Sequence, residues 1–124
     1  MDFGNVAVSA VAGTVVLDPA GARSVTGGVT LPAINGTVSA ATFDVSGQAN
    51  FTYSITLPSA ATTITSGTDN MTVDNWTSSP TPTGTLDGTG AQTLAVGATL
   101  NVGAGQASGL YVSGTPFTVT VNYN

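Results

Sequence analysis

The sequence contains no lysine, glutamate, histidine or cysteine, and its only cation is Arg23. Each absence removes a class of function. A nucleic-acid binder neutralises phosphates with Lys and Arg, and one arginine does not suffice. Serine and cysteine triads need an imidazole, and zinc sites of the usual kind need His or Cys. Six aspartates set the formal charge at -5, yet charged residues are only 6% of the chain. That is about a quarter of the usual share, so solubility rests on Thr, Ser, Asn and Gly. Apolar runs are only a few residues long, so no membrane span is expected. The opening "MDFGNVAV" lacks the basic start and long apolar stretch of a secretory signal. If the protein is secreted, the signal is not in this sequence. Missing cysteine leaves the compartment open, since reduced cytosolic proteins and many surface proteins both lack disulfides. The near absence of Lys and Arg leaves trypsin-like proteases a single site, which suits an extracellular life.

What is present is a β protein. At 124 residues with 41% apolar content, the chain is expected to form one domain, residues 1–124, with a core that needs no crosslink. Stretches rich in Val, Thr, Ile, Phe and Tyr recur between Gly, Pro, Asn and Asp. Strands are predicted over 3–8, 13–18, 23–31, 39–46, 50–57, 61–65, 70–77, 92–102, 107–113 and 116–123. Turns are predicted at "DPAG" (18–21), "LPS" (57–59), "SSPTPTG" (78–84), "DGTG" (87–90) and "GAGQ" (103–106). No stretch keeps a 3.6-residue period over three turns. Clean apolar–polar alternation fits antiparallel sheets with one wet face. The expected fold is an antiparallel immunoglobulin-like β-sandwich, with a jelly roll as the alternative.

Chemistry-bearing patterns are few. "FDVSG" (43–47) and "LDGTG" (86–90) approach the D-T-G turn of aspartic proteases, but neither has a hydroxyl residue directly after the Asp. Solvated turn and strand-edge roles account better for Asp87 and Asp44. "DNMTVDN" gathers Asp69, Asn70, Asp74 and Asn75, but Asp69 and Asp74, five apart on a strand, point to opposite faces. No metal, cofactor or catalytic residue is assigned, and no enzyme activity is expected. Four Asn-x-Ser/Thr sequons, at Asn35, Asn50, Asn70 and Asn75, arise easily in a chain so rich in Ser and Thr. Trp76 falls on the opposite parity from Met71 and Val73. It is therefore exposed or, on the better reading, a core residue placed after a bulge. Threonine rows such as "TVT" and "TIT" lack the regular repeat of an ice-binding face. Arg23 is expected to pair with an Asp or to cap carbonyls at a strand end.

The sharpest signal is the last strand, "PFTVTVNY" (116–123). Phe117, Val119, Val121 and Tyr123 point one way, and the polar residues between them point the other. Such an edge, without a charged gatekeeper, invites pairing with another strand. These four residues form the candidate partner-strand interface.

The run "LAVGATLNVGAGQASGLYVSGTPFTVTVNYN" (94–124) resembles the end of a family of secreted bacterial domains of unknown function. "MDFGNVAV", "RSVTGGVTLP", "FTYSITLPS" and "MTVDNWTSSPTPTGTL" resemble earlier parts of it. The ending is also similar to pilin subunits of chaperone–usher fibres, in the penultimate Tyr123 and in Gly109, fourteen residues earlier. The resemblance implies an incomplete sandwich completed by a donor strand, and a homopolymer built by donor-strand addition. It also implies a periplasmic chaperone and an outer-membrane usher as partners, and an extracellular filament at the cell surface. Those pilins carry an N-terminal donor extension, whereas "MDFG" already reads as the first strand, so the donor segment is not identified. The alternative is a self-contained adhesin module that binds glycan or protein through its loops.

Overall fold

The computed structural model describes residues 1–114 and 116–124. It is all-β, with no helix among the described residues. In chain order the strands are β1 (Asp2–Phe3), β2 (Gly13–Leu17), β3 (Arg23–Gly27), β4 (Val38–Ser39), β5 (Ala41–Ser46) and β6 (Thr52–Thr56). They continue with β7 (Thr62–Ser66), β8 (Asp69–Ser79), β9 (Thr83–Thr85), β10 (Ala91–Val102), β11 (Val112–Ser113) and β12 (Thr120–Tyr123).

The first layer is a seven-stranded sheet in the order β11-β7-β8-β10-β2-β3, with β5 also paired to β10. Its centre is β10, where "TLAVGATLNV" supplies the alternation. Along one side β10 pairs β8. Along the other, its first half pairs β5 (Ala91↔Ser46 to Val96↔Ala41) and its second half β2 (Ala98↔Leu17 to Val102↔Gly13). The second layer has two pieces. The sheet β12-β6-β9 covers one half of the first layer, and the pair β1-β4 covers the other. All pairings are antiparallel. The architecture is the expected sandwich.

Between the layers lie two apolar clusters. Val15, Val29, Val73, Ala98, Leu100 and Val102 form one, and Ala41, Val45, Tyr53, Leu86, Leu94 and Val96 the other. Trp76 packs against both. The register explains how it gets inside. Asp74 pairs Thr99 and Thr77 pairs Gly97, so Asn75 and Trp76 together face Ala98 alone. Asn75 has a φ of 49°. This bulge shifts the strand by one residue and reverses which parity points inward. Val73 is buried before it and Ser78 after it.

On the outer face the threonines fall into register. Thr26, Thr14, Asn101, Thr72 and Thr63 lie directly opposite one another across five strands. Thr14 and Thr26 share a hydroxyl hydrogen bond of 2.6 Å, and the Asn101 amide donates to Thr72 Oγ1 at 3.3 Å. Thr is branched at Cβ and therefore suits a strand even where it faces water.

Several boundaries differ from the sequence expectation. Residues 3–8 hold only the end of β1 and an isolated bridge, Ala7↔Thr30. Residues 107–113 hold only β11, and 116–123 only β12. The "SSPTPTG" segment contains the edge strand β9, which the prolines hide, because Pro is tolerated beside a sheet edge. The turns at Asp18 and Asp87 form as expected. Gly21 N donates to Asp18 O, and Gly90 N to Asp87 O, each at 3.0 Å.

Candidate functional site

The second layer does not cover the whole inner face of the first. Between the N-terminal segment and the residues leading into β12 runs a groove of about 930 Å³. Its floor is the inner face of the large sheet, with Ile64, Met71, Val73, Leu100 and Val102. One wall is Met1–Val8, and the other is Gln106–Ser113 with Pro116 and Phe117. The rim is apolar as well. Leu110 is 80% exposed and Val112 55%, and both line the groove. Isolated exposed apolar residues are ordinary, but several around one concavity mark an interaction surface.

Beside both walls lie backbone groups without a ladder partner among the described residues. In the first wall, Asn5 N donates to Asn35 O at 2.6 Å, and Ala7 exchanges two 2.9 Å bonds with Thr30, all away from the groove. Val6 and Val8, of opposite parity, make no backbone hydrogen bond among the described residues. Past the second wall, β12 pairs β6 from Thr120 to Tyr123. Residues 116–119 have no ladder partner among the described residues. Unpaired backbone groups beside an apolar floor are what an extended peptide can satisfy.

Each wall is held by a small polar device. Arg23, on β3, takes the carbonyl-capping option. Nη1 donates to Phe3 O and to Asn5 O, both at 2.8 Å, and Nη2 donates to Asn35 Oδ1 at 3.0 Å. A planar guanidinium suits such a fork of acceptors better than an ammonium does. On the opposite wall Gln106 is the hub. Its Nε2 donates to Asn70 O at 3.1 Å and to Tyr111 Oη at 2.9 Å, while its Oε1 accepts from Gly103 N at 3.2 Å. Tyr111 in turn donates to Ala107 O at 2.7 Å. Sequence reasoning missed Gln106 and Tyr111, because their partners come from a loop and from a strand far away in sequence.

The four candidate interface residues divide. Phe117 lines the groove, stacks at a tilt on Trp76 with ring centroids 4.6 Å apart, and meets Phe43 edge-on at 6.3 Å. Val119 and Val121 pack half-buried against the second cluster of their own chain. Tyr123 is 56% exposed, and its hydroxyl donates to Ser46 O.

Two carboxylates meet elsewhere. Asp44 and Asp87 border a shallow depression of about 230 Å³. Asp87 Oδ1 accepts from the Thr89 hydroxyl at 2.7 Å, from Thr89 N at 2.8 Å and from Ala91 N at 3.1 Å. The Thr89 hydroxyl above all, then the Ala91 and Thr89 amides, hold this carboxyl below its ordinary value. Sharing a proton with a second carboxylate would need the opposite shift. The Tyr53 hydroxyl donates to Gln92 Oε1 at 2.6 Å, and burial, helped by the neighbouring Tyr123, raises its pKa. Among the described residues no three acidic, His or Cys side chains are grouped to hold a metal. No helix among them is long and apolar enough to cross a membrane.

The geometry thus defines an antiparallel sandwich with an open, strand-wide apolar groove. The chain belongs to the family described as a domain of unknown function (DUF4402), which matches residues 1–123. No curated protein and no solved structure matches it.

Proposed function

We propose that the protein is a structural subunit of a bacterial extracellular filament, assembled by β-strand addition. The observation that carries this reading is the groove, apolar on its floor and rim, with backbone at Val6, Val8 and residues 116–117 that has no ladder partner among the described residues. An extended strand from a neighbouring copy lies between Val6–Val8 and residues 116–119. Its backbone completes the second layer, and every second side chain packs over Val73, Leu100 and Val102. Phe117 belongs to the interface directly. Val119, Val121 and Tyr123 act by fixing the strand that carries the open edge. The absence of lysine and the neutral threonine faces suit life outside the cell. By the resemblance to chaperone–usher subunits, a periplasmic chaperone covers the groove before assembly and an outer-membrane usher directs it. A self-contained adhesin module would need a sandwich complete within one chain, and the groove weighs against that.

Leu110 gives the clean test, because it is exposed in the monomer yet lies on the groove rim. Leu110→Asp should leave the monomer's thermal transition within about 0.5 kcal/mol of wild type, as surface changes do. It should also suppress filaments seen by electron microscopy and size-exclusion chromatography. Undiminished assembly of this variant would overturn the proposal.

A further inference from the structure

Of the eight asparagines, only Asn35 is followed by glycine. Such a step is chemically weak. With no Cβ on the following residue, its amide nitrogen can reach the asparagine Cγ and close a five-membered imide. Asn35 and Gly36 are both exposed, and no acceptor among the described residues engages the Gly36 N–H. The attacking nitrogen is therefore unencumbered.

A second observation concerns the electrophile. Arg23 Nη2 donates to Asn35 Oδ1 at 3.0 Å. When the imide closes, negative charge develops on that oxygen, and a preorganised cation there stabilises it. The other position where glycine follows such a side chain, Asp87–Gly88, is arranged oppositely. Three hydrogen bonds from Thr89 and Ala91 stabilise its carboxylate, which is a poor electrophile.

We propose that Asn35 is a self-modification site, at which the folded protein converts the amide to a carboxylate paired with Arg23. The Gly36 nitrogen bonds to Asn35 Cγ and the Cγ–Nδ2 bond breaks. Ammonia leaves with the proton from the Gly36 nitrogen. Water then adds to either imide carbonyl and reopens the ring, giving aspartate or isoaspartate with no change of oxidation state. The new charge lands on the clip that holds one groove wall, since Arg23 also binds Phe3 O and Asn5 O. Aspartate tightens that clip by completing an ion pair. Isoaspartate adds a methylene to the main chain and displaces the Asn35 carbonyl, which accepts from Asn5 N.

The test is incubation of the purified, folded protein at mildly alkaline pH, followed by fragmentation mass spectrometry and isoaspartate-specific methylation. Parallel samples are wild type in urea, Asn35→Gln, and Arg23→Gln. Replacement of NH2 by OH is expected at Asn35 ahead of every other asparagine, and at least as fast folded as in urea. The rate should fall several-fold in Arg23→Gln, and Asn35→Gln should stay unmodified. Protection of Asn35 in the folded wild type relative to urea would overturn the proposal, whatever the stability of the variants. So would conversion in Arg23→Gln as fast as in wild type or faster, which would make the arginine a bystander or a restraint rather than an activator.

Discussion

Val121 offers a quantitative probe of the last strand. It pairs with Ile55 on β6 and packs half-buried on the cluster around Tyr53, Leu94 and Val96. Full burial of a valine side chain is worth about 1.5–3 kcal/mol, so a half-buried one contributes about 1 kcal/mol. Val121→Asp forfeits that and places a carboxylate against apolar neighbours, at a further cost of about 2–3 kcal/mol. The sum, about 3–4 kcal/mol, should lower Tm by about 12–15 °C in a domain of this size. Thr120 is exposed on the other face, so Thr120→Ser should stay within about 0.5 kcal/mol of wild type. Thermal unfolding is followed by circular dichroism and by Trp76 fluorescence. The sign of the pH dependence gives a second check. A carboxyl introduced without a partner has its folded pKa raised, so its penalty is greatest above that value. The charge-dependent part of the penalty should vanish below the unfolded carboxylate pKa of about 3.9, leaving the lost apolar burial. The difference between variant and wild type should therefore shrink on acidification. Equal transitions for the two variants at neutral pH, or a gap that does not narrow in acid, would refute the assigned burial of this face.

Gly84 should be nearly irreplaceable, because a Cβ there would run into the ring and hydroxyl of Tyr53 and the Gln92 side chain. Tyr53 is fully buried and has no room to move. Gly84→Ala should cost about 1–3 kcal/mol by overpacking, while Gly88→Ala, where nothing lies within 4 Å, should be nearly neutral in chemical denaturation. Asp87, with its pKa lowered in the fold, contributes stability that is present above its ordinary value of 3.8. That stability is lost as the pH falls through the depressed value. Asp87→Asn should therefore flatten the acid limb of the Tm–pH curve, and parallel curves for variant and wild type would show that this turn does not carry it.

The sequence made the central strands legible, because β10 is alternating and β7 and β8 are β-branched, with turn residues at their ends. Trp76 shows where parity stops being informative. The bulge at Asn75 moves it inside, and a bulge has no composition of its own. The strand β9 lay hidden among Pro80 and Pro82, since prolines signal a loop without telling whether a sheet edge follows. The groove was legible only as an unprotected last strand. Its position depends on which strands end up as neighbours, a non-local property, so Phe117 was found while Val6, Leu110 and the floor residue Leu100 were not. Val119 and Val121 share Phe117's parity, but they pack over the second cluster rather than the groove, and Val121 is already paired with Ile55 of β6.

The central place of β10 bears on how the chain acquires its structure in time. Residues 91–102 are the shared partner of segments 13–17, 41–46 and 72–79. A polypeptide emerging N-terminus first, from a ribosome or a translocation pore, carries those segments for most of its length without the strand that joins them. Within that sheet only the hairpins β2–β3 and β7–β8 can close before it. Non-local pairing of this kind is slow and leaves edges exposed while it waits. The chain thus stays threadable until its last quarter appears, and the arrival of one twelve-residue segment commits the whole sheet at once.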